Sequence, residues 1–273
     1  LAIIDKTKTP LGGRLIKSWL ISPLCISDGI KARQDGVAEL YEQSNLCREV
    51  RDLLRDIYDL ERITSKISFA RANARDLISL LQSLSLLPKI KKTISVCNSP
   101  ILKSLYETLD VLEEVRVLIS TTILSEPPYS VREGGMIKEG YNHDLDELRN
   151  ISKNGKDWIA NFQAKEIERT GITSLKAGFN RVFGYYLEIT NTHKNCIPET
   201  YIRKQTLKNA ERYITQELKE YETKVLTADE RSKDLEYQIF QEIREKISTY
   251  TERVQKSADV IAHLDCISTL ANI

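Results

Sequence analysis

The 273-residue sequence predicts a mainly α, elongated protein interrupted by one short antiparallel β-hairpin. Three observations carry this expectation. There are only 11 glycines and 7 prolines, well below their usual share of ~12%, which is too few turn formers for a β sandwich or a loop-rich enzyme. Two long stretches are nearly free of helix breakers: no glycine lies between Gly36 and Gly134, and after Pro198 neither glycine nor proline occurs through Ile273. Apolar residues in those stretches recur by threes and fours, the helical period, whereas between about 171 and 191 they alternate. With 41% hydrophobic and 29% charged residues, the composition is that of a folded chain rather than a disordered one.

Taken in order, Leu40, Leu46 or Cys47, Val50, Leu53, Leu54, Ile57, Leu60 and Ile63 make one apolar helical face. Leu77, Leu80, Leu81, Leu84, Leu86 and Leu87 follow before Pro88, then Ile101, Leu105, Leu109, Leu112 and Val115 after Pro100. Pro127-Pro128 stops the run, because proline lacks an amide donor and restricts its predecessor. Stripes of this kind read as core seams. In Tyr185-Tyr186-Leu187-Glu188-Ile189-Thr190 side chains alternate between two faces, and with Gly171–Phe179 and a glycine-bounded turn at Asn180–Gly184 this predicts a hairpin. A two-stranded ribbon is barely stable alone and must lean on helices. Pro198 suits the first turn of a short helix, and Thr206 could cap a longer one. Ile214, Leu218, Tyr221, Val225, Ala228, Leu235 and Ile239 then form a near-heptad seam, broken around polar Ser232. A helix from Thr206 to Tyr250, about 45 residues, would be ~65 Å long, which makes the expected molecule elongated.

Several chemistries find no motif. Cys25, Cys47, Cys97, Cys196 and Cys266 are odd in number and widely spaced, which fits neither a disulfide framework nor a zinc site and predicts reduced thiols in a cytoplasmic protein. His143, His193 and His263 form no H-E-x-x-H pair. Asn154-Gly155-Lys156 lacks the upstream glycine and the Ser/Thr of a phosphate loop. No apolar run approaches the ~20 residues that span a bilayer, and no secretory leader is visible. The sequence starts at Leu1 and its one methionine is Met136, so it is expected to be a piece of a longer protein. No catalytic constellation emerges, and an enzyme reading would need a titratable pair assembled by folding.

The formal charge is +1, from 40 Lys and Arg against 39 Asp and Glu, but it is unevenly spread. From Gly171 to Ala210 the cations Lys176, Arg181, Lys194, Arg203, Lys204 and Lys208 face only Glu188 and Glu199, a local excess of four. Within it Tyr201–Asn209 interleaves cations with amides and hydroxyls, the mixture that phosphate contacts use. On one helix Lys204 and Lys208 would share a face, and a helix beginning near Thr206 would offer free amides to a phosphate. Charge alone leaves a solvated basic face as the alternative.

Thr170-Gly171-Ile172, Ser174-Leu175-Lys176, Asn180-Arg181-Val182-Phe183-Gly184-Tyr185-Tyr186, Glu188-Ile189-Thr190 and Arg203-Lys204-Gln205-Thr206-Leu207-Lys208-Asn209-Ala210-Glu211-Arg212-Tyr213 closely resemble the clamp domain of bacterial MutS mismatch-repair proteins. Thr9–Ile16, Trp19-Leu20, Pro23-Leu24, Asp59–Ile63, Arg75-Asp76-Leu77 and Ala262…Leu264-Asp265…Leu270-Ala271 resemble the lever of the same family. The resemblance covers essentially the whole chain. It implies an elongated lever of long helices, residues 1–145 and 222–273, with an inserted small α+β clamp, residues 146–221, that contains the antiparallel hairpin. Asp144–Arg149 would lie on the outgoing helix. It further implies non-sequence-specific contact with double-stranded DNA through Lys204, Lys208 and Asn209, with Arg203, Gln205 and Lys176 as further candidates, and allosteric transmission along the lever. A second MutS subunit and MutL would be partners of the whole protein, with no membrane partner and a monomeric fragment. The mismatch reader and the ATPase with its ATP and Mg would lie outside this sequence, so the fragment itself would hold no cofactor, read no mispair and hydrolyse no ATP. Ile16, Trp19, Leu20 and Leu24 would be covered by a neighbouring domain. Three departures from the family pattern stand out: Leu11 for methionine, Ala74 for proline, and Gln216 for proline, the last leaving open whether a helix from Thr206 breaks near Thr215. The competing reading is a helical scaffold that binds protein and touches no DNA.

Overall fold

The structure, a computed structural model, describes residues 3–180 and 184–273. The fold is mainly α: among the described residues eleven α-helices accompany one four-stranded antiparallel sheet. The chain divides into two compact units, Leu1–Lys138 with Tyr237–Ile273, and Glu139–Glu236.

The first unit contains α1 (Pro10–Ile21), α2 (Ser27–Glu42), α3 (Ser44–Leu54), α4 (Leu60–Ser68), α5 (Ala74–Ile94), α6 (Pro100–Thr108), α7 (Glu113–Thr122) and the C-terminal α11 (Thr251–Ala271). α11 touches α1, α2, α3, α4 and α6. Nearly every residue from Ser257 to Thr269 is buried, polar ones included. The polar residues among them are all used. Ser257 donates to the Asp110 carbonyl at 2.9 Å, and Thr269 accepts from Arg51 at 2.8 Å. Asp265 accepts from the Lys8 amide at 2.9 Å, and from the Thr9 amide and hydroxyl at 2.8 and 2.7 Å. Burial pushes the Asp265 carboxyl above the usual range, against the pull of these donors. The Thr9 hydroxyl in turn accepts from the Gly12 amide and caps α1, with Pro10 in the first turn.

The leucine seams are the core: Leu40, Val50, Leu54, Leu60, Leu77, Leu80, Leu84, Leu87, Leu109, Leu112 and Val115 are buried. At the ambiguous position Cys47 is buried and Leu46 half-buried. Pro88 does not end its helix; it lies inside α5, whose buried face continues through Ile90 and Ile94. Ala74 opens α5 behind an Asn73–Asp76 capping box. Of the residues expected to await a covering domain, Ile16 is buried, Trp19 is half-buried beneath Arg33 at 3.7 Å, and Leu20 and Leu24 are exposed.

The second unit contains α8 (His143–Lys153), α9 (Gly155–Thr170), β1 (Lys176–Asn180), β2 (Gly184–Thr190), a 3-10 segment (Asn191–Cys196), β3 (Ile202–Thr206) and β4 (Ala210–Ile214). The sheet order is β1-β2-β4-β3. α10 (Gln216–Ser248) follows, and the boundary between the units falls within it. The predicted hairpin is β1–β2; Arg181, Val182 and Phe183 of its turn lie outside the described residues.

Residues 202–214 correct the helical expectation. They form a second hairpin, so the sheet has four strands and no helix starts at Thr206. Strand alternation in Glu211-Arg212-Tyr213, with Tyr213 in the core, outweighs the mere absence of glycine and proline. Pro198 opens no helix either: its carbonyl accepts from the Tyr201 amide in a turn. The helix begins at Gln216, where Thr215 caps it by accepting from the Leu218 amide at 3.1 Å. α10 therefore has 33 residues rather than about 45, and α11 starts afresh at Thr251. Ser232, where the seam broke, is buried, as is Glu236, which pairs with Arg149 of α8 at 3.0 Å.

A Cβ at Gly12 would collide with the Asp265 carboxylate. Gly12→Ala is therefore expected to destabilise the first unit by about 1–3 kcal/mol, as overpacked cores do. Urea unfolding followed by helical circular dichroism checks this; an unchanged midpoint contradicts the packing described.

Candidate nucleic-acid interface

One face of the sheet covers the core of the second unit, built from Phe162, Ile172, Leu175, Leu187, Ile189, Tyr201, Tyr213 and Leu218. Trp158 of α9 stacks on Phe162 and, at 3.6 Å between ring centroids, on Tyr221 of α10. Side chains alternate across a strand, so the register sorts the remaining residues by face. Leu187 opposes Tyr213, and Ile189 opposes Glu211, on the core side. On the other side Lys176 opposes Glu188, Glu188 opposes Arg212, and Arg212 opposes Gln205, one residue from each strand.

The β3–β4 ladder is irregular between Arg203 and Gln205. Arg203 opposes Tyr213 and Gln205 opposes Arg212, leaving Lys204 as the extra residue of a bulge. Residues two apart normally share a face. The bulge instead sends Arg203 to the core side and Gln205 to the outer one.

The predicted contacts consequently fall into two groups. Lys204 at the bulge, Lys208 and Asn209 in the β3–β4 turn, and Lys176 on β1 are exposed. Among the described residues Lys176, Lys204 and Lys208 form no ion pair. Leu207 closes the turn by donating to the Ala210 carbonyl at 2.8 Å, and the Asn209 carbonyl accepts from the Asn191 amide at 3.1 Å. Lys204 and Lys208 thus share a hairpin, not the helix face that their spacing suggested. Arg203 and Gln205 are engaged instead: Arg203 pairs with buried Glu211 at 3.4 Å, and Gln205 accepts from Arg212 at 3.0 Å. Nothing is described of the side chain of Lys194, and Arg181 lies outside the described residues.

Sequence reasoning missed the acids that organise this module. Buried Glu211 accepts from the Tyr213 hydroxyl as well as from Arg203. Burial and that hydrogen bond push the Tyr213 phenol up to about 12. Glu166 of α9, also buried, accepts from Arg169 at 2.9 and 2.7 Å and from the Tyr201 hydroxyl. The Arg169 hydrogen bonds hold the Glu166 carboxyl below its usual range against the cost of burial, while burial and Glu166 raise the Tyr201 phenol. The alternation Glu211-Arg212-Tyr213 was the available signal for β4. The partnership of Glu166 with Tyr201 had none, since it joins residues 35 apart. Among the described residues no His, Cys, Asp and Glu group is arranged to hold a metal ion, and no helix is long and apolar enough to cross a membrane.

Fold and interface together define a helical domain that carries a small sheet with unpaired lysines at its edge and turn. The chain belongs to the MutS domain III family, whose model matches residues 1–271. It is 50% identical over 271 residues to the DNA mismatch repair protein MutS of Halothermothrix orenii, covering 99% of this chain and 30% of that protein. It is 48% identical over 273 residues to the protein of that name from Lachnoclostridium phytofermentans, covering 100% of this chain and 29% of the relative. For Clostridium beijerinckii the identity is 48% over 274 residues, with 100% and 30% covered. The chain thus spans about 30% of the length of these relatives.

Two predictions follow from the inward-facing acids. The Glu166 carboxyl is depressed in the folded state. Its stabilisation is therefore complete above the ordinary glutamate value, about 4.3, and is lost as pH falls through the lower folded value. Glu166→Gln should flatten the acid side of the stability profile, read from Trp158 fluorescence in a Trp19→Phe background. Arg203→Ala should lower stability by about 1 kcal/mol, the upper range for a pair whose cation is this exposed, read from the midpoint of urea unfolding.

Proposed function

We propose that the second unit clamps duplex DNA by its phosphate backbone, without reading sequence, as part of a mismatch-repair protein. The observation that carries this reading is the separation of charge in residues 166–213. Buried Glu166 and Glu211 are occupied by arginines and tyrosines on the core side, and Glu188 is occupied by Arg212 on the outer one. Lys176, Lys204 and Lys208 stay exposed and unpaired among the described residues. Such lysines neutralise phosphates, and Asn209 in the same turn adds a donor that makes no demand on base sequence. The family membership and the relatives named DNA mismatch repair protein support the same reading.

In this proposal the clamp comprises residues 146–221 and the lever residues 1–145 and 222–273. The lever transmits the nucleotide state of an ATPase elsewhere in the whole protein to the clamp. A densely packed helical unit, threaded by α11 and clasped through Asp265, suits that task because close-packed interiors transmit strain. ATP and Mg, the second subunit and MutL belong to the whole cytoplasmic protein; this chain is assigned no reaction.

The test is duplex binding by the 273-residue chain across a salt series. Three neutralised phosphates, one for each of Lys176, Lys204 and Lys208, give a log–log slope of about −2.7. Lys204→Ala with Lys208→Ala should weaken all duplexes alike and make the slope shallower by about 1.8. Wild-type binding that is undetectable at ~50 mM salt, or a double variant that binds as the wild type does, rejects the reading in favour of a protein-binding scaffold.

A further inference from the structure

We propose that Arg212 is the positioning residue of the phosphate-facing edge: it holds Gln205 so that only the amide NH2, a pure hydrogen-bond donor, is offered to an anionic ligand. The proposal rests on the clamping function above and names the device that orients one of its contacts.

Arg212 is itself held by two side chains and an aromatic ring. Its Nε donates to Glu188 Oε2 at 2.9 Å, its Nη1 donates to Gln205 Oε1 at 3.0 Å, and its guanidinium lies 4.2 Å from the centre of the Tyr186 ring. Only 19% of its side chain is exposed. Glu188 offsets its charge, so Arg212 adds no net cation to the edge. Its platform is built in as well. A Cβ on Gly178 would meet the Tyr186 ring at 2.9 Å, so any side chain at 178 would push the tyrosine from its present place across β1.

The consequence for Gln205 is chemical. A guanidinium has donors and no acceptor, so the glutamine oxygen must face Arg212 and the NH2 is the end left over. A glutamine free to rotate would present its oxygen to a phosphate as readily as its nitrogen, and that half of its orientations would repel. Fixing the amide removes them. Lys204, the bulged neighbour, is exposed beside it, so this edge combines one mobile cation with one oriented neutral donor, complementary to the charge and the lone pairs of a phosphate oxygen.

The experiment is a double-mutant cycle on the full 273-residue chain with a random-sequence duplex, read as affinity and as salt slope. Lysine has no planar fork and cannot hold Glu188 and Gln205 together while stacking on Tyr186. Arg212→Lys and Gln205→Ala should therefore each weaken binding by about threefold to tenfold. The double variant should be no weaker than Gln205→Ala alone. The salt slope should stay as in the wild type, because neither residue brings net charge to a phosphate; a generally loosened hairpin would also lose the slope that Lys204 and Lys208 supply. Wild-type affinity in Arg212→Lys overturns the proposal. So do losses that multiply in the double variant.

Gln205→Glu covers the case in which Arg212→Lys fails to fold. The carboxylate keeps a partner for Arg212 but presents an acceptor, so binding should fall below that of Gln205→Ala; binding at wild-type strength overturns the proposal. The Lys204→Ala and Lys208→Ala arm separates the two levels. If it fails, the clamping function fails and this inference with it; if it succeeds while the Arg212 and Gln205 arms do not, only the positioning role is lost.

Discussion

Lys204 has no partner across the β3–β4 ladder, and the use of the basic segment depends on that one unpaired position. Without the bulge, Arg203 and Gln205 would project from the same face of the sheet. Either Glu211 would be buried without its arginine or Arg212 would face no amide. With it, each side chain meets the neighbour its chemistry requires, and the surplus residue, a lysine, is left in water. A local irregularity of one residue thus divides four consecutive polar positions between supporting the core and meeting solvent.

The same division explains what could be read in the sequence. The helical seams were legible because a residue such as Leu77 or Leu84 declares its face by spacing alone, and the β1–β2 hairpin was legible because glycine and alternation coincide at 178–190. The second hairpin was not. Its turn, Leu207-Lys208-Asn209, carries neither glycine nor proline, and a seam that begins at Ile214 invites the following helix to be extended backwards. Burial of polar residues was equally hidden. Ser232 and Glu236 interrupt an apolar pattern, and the arrival of Arg149 from another helix helps make a buried glutamate tolerable there. At the candidate site the identity of the cations was visible; their sidedness was not, because sidedness depends on a register shift that leaves no mark on composition.

In the helical unit the corresponding organiser is Asp265. A carboxylate so deeply placed is costly unless donors surround it, and it finds them in the backbone that leads into α1. The contact joins residues more than 250 positions apart and requires glycine at position 12.

The exposed lysines support no packing, whereas Arg203 and Arg212 are tied into the sheet. On the clamping function proposed above, changing Lys176, Lys204 or Lys208 singly would adjust grip on the polyanion in steps of one released counterion while the ion pairs of the scaffold stay intact. The arginines have no such freedom, since replacing either one disturbs an acid it shields. In that proposal the salt-dependent part of binding and the integrity of the sheet rest on separate residues, so the first can be retuned without disturbing the second.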